Sequence, residues 1–138
     1  MDTIGNLGDL VDLVNRRPGL FIRYSEGPQA DRDSPSTDYE ADVELPGWSV
    51  TPIDPEPWWT RPAIDWVARR VCKYADLADK DPRRRPWLLA GRVAGRGPDH
   101  EPLLADIEPV AWLSRATLDE ALDHYRRVFH VRRDSAAE

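Results

Sequence analysis

Prolines at positions 52, 55 and 57 set the firmest limit on what this chain can form: no regular helix passes through the segment 51–59. Each proline lacks an N–H donor, fixes its own φ and pushes the preceding residue out of the α region. The path there is extended and stiff. Thr60 offers an N-cap and Pro62 suits a first helical turn, so the segment reads as a rigid lead-in from a strand to a helix. It also carries indoles, with Trp48, Trp58, Trp59 and Trp66 inside nineteen positions. Rings at that density either pack the connection against a core or form a stacking platform for a base, a sugar or a proline-rich peptide.

The flanking segments supply the elements that this lead-in joins. Thr3 can cap a first helix, with Ile4, Leu7, Leu10, Val11 and Val14 at helical spacing and Pro18-Gly19 as its stop. Leu20 to Ser25 reads as a strand, with Leu20, Ile22 and Tyr24 on one face and Arg23 and Ser25 on the other. A polar loop covers 26–37. Asp38 to Leu45 alternates strictly, setting Tyr39, Ala41, Val43 and Leu45 against Asp38, Glu40, Asp42 and Glu44, which predicts a half-buried strand with a carboxylate row in water. After Pro46-Gly47, Trp48 to Val50 is a short extended piece.

The helix led in by Thr60 runs to about Leu77 and buries Ile64, Val67, Ala68, Val71 and Ala75. Trp87 to Ala94 is a strand, Gly95 to Asp99 a turn, and Glu101 to Leu113 one or two strands interrupted at Pro109. A last helix starts near Ser114 or Thr117, with Thr117 to Glu120 as a capping box and Leu118, Leu122, Tyr125 and Phe129 as its apolar stripe. Residues 131–138 read as a frayed tail. This order lacks regular βαβ alternation. It predicts an α+β fold, a small curved and mostly antiparallel sheet flanked by about three helices, in one domain over 1–138.

A chain of 138 residues can build a core without staples, and its single cysteine allows no intramolecular disulfide. No signal-like leader and no apolar run near the roughly 20 residues of a membrane span are present, so the expectation is a cytoplasmic protein without a membrane partner. The net charge of −6 sits in one place: segment 26–44 holds seven carboxylates against Arg32 alone, leaving the remainder balanced. Overall acidity argues against non-specific nucleic-acid binding, which depends on neutralising many phosphates. A symmetric homodimer is the base-rate expectation for an oligomer.

Most other chemistry-bearing residues read as ordinary surface. The row Asp38, Glu40, Asp42 and Glu44 spaces its side chains about 6.6 Å apart; with Asp31 and Asp33 it can bridge a hard cation. It lacks the spacing of a calcium loop, and a solvated face that discourages edge association accounts for it, so no metal is expected. Gly91, Gly95 and Gly97 around Arg92 and Arg96 precede a strand and not a helix, which makes a hairpin turn and not a phosphate loop. Arg83-Arg84-Arg85 reads as a solvated loop. Cys72 lies in a helix with nothing to lower its pKa, and His100, His124 and His130 are not spaced as zinc ligands.

Taken across most of its length, the chain resembles a family of uncharacterised actinobacterial proteins, a domain of unknown function. The resemblance is carried by Pro18-Gly19-Leu20, Arg23-Tyr24-Ser25, Asp38-Tyr39-Glu40, Glu44-Leu45-Pro46-Gly47-Trp48-Ser49-Val50, Pro57-Trp58-Trp59, Gly95-Arg96-Gly97-Pro98-Asp99 and Pro109-Val110-Ala111-Trp112-Leu113. It implies no activity. Arg23 on a first strand, Trp48-Ser49-Val50-Thr51 and Asp99-His100-Glu101 before a later strand also resemble the Arg-Ser-Glu class of ADP-ribosyltransferases. That resemblance implies NAD as cofactor, with Arg23 holding the diphosphate, Ser49 orienting the ribose and Glu101 stabilising the oxocarbenium-like centre. Asp-x-Glu stands where the class has Glu-x-Glu or Gln-x-Glu, the second Ser is missing, and Glu108 is an equally available carboxylate. The leading expectation is a binding or accessory domain, needing no cofactor, that uses Trp48, Trp58 and Trp59 to hold an unknown protein or small molecule. NAD-dependent transfer at Arg23, Ser49 and Glu101 is the alternative.

Overall fold

A computed structural model describes residues 1–34, 37, 38 and 40–129. In chain order its elements are β1 (Asp2–Ile4), α1 (Leu7–Arg16), β2 (Phe21–Ser25), α2 (Pro28–Asp33), β3 (Thr37–Asp38), β4 (Val43–Glu44), β5 (Trp48–Ser49), β6 (Thr51–Pro52), α3 (Ala63–Cys72), α4 (Ala75–Lys80), β7 (Arg85–Arg96), β8 (Pro102–Leu113) and α5 (Arg115–Phe129). Six strands make one mixed sheet in the order β1-β8-β7-β2-β6, with β5 also paired to β8. Only β1 runs parallel to its neighbour. This is the α+β architecture expected, with α1, α3 and α5 as its main helices.

Alternation along the strands divides the apolar residues into two layers. Ile22, Tyr24, Leu88 and Leu113 face α1, α3 and α5, where they meet Leu7, Leu10, Val14, Val67, Val71 and Leu118. Trp87, Leu89 and Leu104 turn to the other face and pack with Val50, Phe21, Trp48 and Trp112. The β7–β8 register slips between Leu88 and Leu89: these residues pair with Ala111 and Pro109, leaving Val110 unmatched. That bulge absorbs the proline, which cannot donate to a ladder. So Pro109 bends one continuous strand and does not divide it.

The termini of the helices differ from the expected ones for tertiary reasons. Thr3 caps nothing, because Asp2–Ile4 pairs with Ala111–Leu113 as β1; Asn6 is the cap instead, accepting from the Asp9 N–H at 2.8 Å. At α5 the cap is Ser114, whose hydroxyl accepts from the Thr117 N–H at 3.0 Å. Thr117 and Glu120 serve the N-terminus: Thr117 Oγ1 donates to the Ile4 carbonyl and Glu120 Oε1 accepts from the Leu7 N–H, both at 2.8 Å. Pro62, not Thr60, occupies the capping position of α3. The helix stops at Cys72 and restarts as α4, where the Tyr24 hydroxyl donates to the freed Val71 carbonyl.

The acidic segment departs furthest from expectation. No strand runs through 38–45; β3 and β4 pair for two residues each around a turn in which Asp42 has φ of 56°. Val43 is 55 % exposed and Ala41 is exposed as well, while Leu45 is half-buried, so Ala41 and Val43 do not enter a core. The preceding loop contains α2, whose Asp31 becomes important below. Tyr39, His130 and the tail 131–138 lie outside the described residues.

Candidate ligand site

The rigid lead-in ends in a turn closed by the Trp59 N–H donating to the Glu56 carbonyl at 2.9 Å. It is pinned upstream by Asp54, whose Oδ2 accepts from the Gly19 N–H at 2.7 Å. Trp58, Trp59 and Trp66 then meet edge to face, with ring centroids 5.0 to 6.2 Å apart. Trp66 is buried and Trp59 is tied by its Nε1 to the Pro62 carbonyl. Trp58 alone is left open, 67 % exposed. Exposed indoles are costly in apolar area, and this one is held rigidly by two others.

On α3, Trp66, Arg69, Arg70 and Lys73 follow at i, i+3, i+4 and i+7, which places them along one stripe of the helix. With Trp58 from the lead-in and Tyr125 from α5, that stripe walls a cavity of about 410 Å³. The Arg70 guanidinium stacks on Trp66, 4.7 Å from its ring centroid, and Arg69 lies over Phe129 at 5.4 Å. Among the described residues none of the three cations is in an ion pair. Burial and the neighbouring Arg69 charge pull the Arg70 pKa below its ordinary value, against the weaker pull of Glu56 and Tyr74. Beneath the site α3 and α5 are clamped by buried Asp65, which meets His124 Nε2 at 2.7 Å and Arg61 Nε at 3.2 Å.

The indoles expected to form one group are thus two. Trp48 sits away from Trp58, edge-on to buried Trp87 at 6.2 Å, with the Arg23 guanidinium over its ring at 5.5 Å. The α3 cations were not among the expected site residues. Their signal was the stripe beside the apolar one, Arg69, Arg70 and Lys73 at helical spacing from Trp66.

Arg23 on β2, Ser49 on β5 and Glu101 before β8 do come together, around a smaller cleft of about 200 Å³. Ser49 Oγ donates to Glu101 Oε2 at 3.3 Å, and Arg23 Nη1 donates to the Ser49 carbonyl at 2.7 Å. Arg23 Nε, however, is held by Asp31 Oδ2 at 2.7 Å, and the same oxygen accepts from the Ser25 hydroxyl. Ser25 in turn accepts from Trp87 Nε1 at 2.9 Å and from the Gly27 N–H. The acidic partner of Arg23 is therefore Asp31. Glu101 Oε1 takes the Asp99 N–H. Glu108 pairs with Arg17 outside this cleft.

Among the described residues no group of His, Cys, Asp and Glu is placed to hold a metal ion, and no helix is long and apolar enough to cross a membrane. Cys72 is half-buried and its thiol is pushed up to about 12, chiefly by burial.

Fold and site together define a small α+β domain with a basic, indole-walled cavity beside a three-helix layer. The chain belongs to a family of unknown function, DUF6098, whose model matches residues 1–136. No curated protein and no solved structure matches it.

Proposed function

We propose that this protein is a binding domain whose ligand sits against Trp58 in the cavity between the proline-rich lead-in, α3 and α5. The supporting observation is an indole 67 % exposed that meets Trp59 and Trp66 edge to face and lines a cavity of about 410 Å³. That volume falls within the range of roughly 300–1,000 Å³ common for small-molecule sites. A rigid ring already in place loses little entropy on binding. A thermal-shift screen of nucleotides, sugars and short peptides tests the reading: a ligand at 100 times its dissociation constant adds about 2.7 kcal/mol. Hits should lose their shift in Trp58→Ala. Hits that keep it place the ligand elsewhere.

NAD-dependent ADP-ribosyl transfer is a second reading, favoured by the meeting of Arg23, Ser49 and Glu101 at one cleft. Against it stand the narrowness of that cleft and the engagement of Arg23 with Asp31. Release of nicotinamide from NAD, abolished by Glu101→Gln, is the expected result under this reading. Turnover unchanged in that variant ends it.

A further inference from the structure

The charge around the cavity narrows the ligand that Trp58 receives. Among the described residues Arg69, Arg70 and Lys73 line it and no carboxylate does. Cations in the last turn of a helix are ordinarily explained by the helix dipole, but that account leaves Arg70 half-buried beside Arg69 without an acceptor among the described residues. The Arg70 guanidinium carbon lies over the Trp66 ring, 4.7 Å from the centroid, a contact that uses none of its N–H donors. Arginine forks of this kind match phosphate oxygens bidentately, and a dianion balances three positive charges better than a carboxylate does.

The positive region is also short. Past Arg70 and Lys73 the surface opens into a second hollow of about 260 Å³, where Asp99 and Glu101 join Arg70, Lys73 and Arg96 in the lining. A long polyanion would meet mixed charge there, in a chain whose net charge is already −6. One phosphate beside one ring fills the favourable part.

We infer that the ligand is a phosphorylated aromatic molecule of mononucleotide size, its ring against Trp58 and its phosphate over Arg69, Arg70 and Lys73. This rests on the reading of the cavity as the binding site.

Calorimetry on the full chain tests it, using the common ribonucleoside 5′-monophosphates and phenyl phosphate, each against its dephosphorylated counterpart. At least one phosphorylated probe should bind about tenfold or more tightly than its counterpart. Lys73→Gln and Arg70→Gln should each weaken the phosphorylated probe more than its dephosphorylated counterpart and so narrow that gap, and a gap that persists in full in both variants overturns the phosphate assignment. Equal affinity with and without phosphate, both lost in Trp58→Ala, overturns the phosphate assignment and leaves the site reading standing. Binding indifferent to Trp58→Ala overturns both. Failure of every probe to bind at millimolar concentration overturns the ligand class. So does affinity for single-stranded oligonucleotides that rises with their length, which would mark a nucleic-acid surface.

Discussion

Replacing Arg23 by Ala distinguishes a residue that holds the fold from one that waits for a ligand. Arg23 and Asp31 side chains are 16 % and 12 % exposed and meet at 2.7 Å. Removing the guanidinium leaves a largely buried carboxylate whose remaining side-chain partner among the described residues is the Ser25 hydroxyl, frees the Ser49 carbonyl and uncovers the face of Trp48. Breaking one partner of a buried pair costs about 3–5 kcal/mol, and residual solvent access brings this to about 3 kcal/mol. At roughly 3–5 °C per kcal/mol for a domain of this size, the melting midpoint should fall by about 10 °C. The assay is urea unfolding of wild type, Arg23→Ala, Asp31→Asn and the double variant. A coupling energy of about 2 kcal/mol is expected, because the second change removes the charge that the first left unpaired. Additive effects, or an Arg23→Ala variant as stable as wild type, would refute the structural role and free Arg23 for chemistry.

The Trp triad should respond unequally: Trp58→Ala should cost about 1–2 kcal/mol and Trp66→Ala about 3–5 kcal/mol in denaturant unfolding, since only the second opens the core. Equal losses would contradict the exposure of Trp58. Cys72, with its thiol raised from 9.0 to about 12, should react at pH 8 with a disulfide reagent more slowly than an unperturbed thiol by about thirtyfold or more, its smaller thiolate fraction being partly offset by the greater nucleophilicity of a more basic thiolate. Because the shift is upward, its rate should still be climbing about tenfold per pH unit at pH 10; a plateau there would show an ordinary thiolate. Gly47→Ala would set a Cβ 2.7 Å from the Leu104 carbonyl oxygen, and a loss of about 2 kcal/mol or more is expected by thermal melting. A neutral result would mean that β5 can stand off from β8.

Elements whose pattern is matched by a partner nearby were legible in the sequence. The hairpin of β7 and β8 and the apolar stripes of α3 and α5 follow from local periodicity, and tertiary packing agrees with it. Pattern failed where its meaning lay elsewhere in the chain. Alternation through 38–45 announces a strand, yet an alternating segment is half-buried only if something apolar lies beneath it. Thr117 and Glu120 have the letters of a capping box, but β1 docks close enough to take both side chains for Ile4 and Leu7. At the site, Trp58 could be read from its prolines. The cations of α3 were hidden because the search for a core attends to apolar positions alone. Arg23, Ser49 and Glu101 were legible as a convergent set, whereas the capture of Arg23 by Asp31 depended on an undetected helix, α2.

The pairing of β1 with β8 has a bearing on how the molecule comes into being. Its first three-residue strand is aligned by Ala111–Leu113 and locked by Thr117 and Glu120. During synthesis, then, β1 has no strand to pair with until Ala111–Leu113 has been made. Leu7, Leu10 and Val14 of α1 share a cluster with Val67 and Val71 of α3, so the helix has an earlier partner than the strand that precedes it. Pairings this distant in sequence slow folding. A circular permutant opened at the 97–100 turn would bring β1 close to β8 in sequence but would make β7–β8 the most distant pairing, and should fold more slowly.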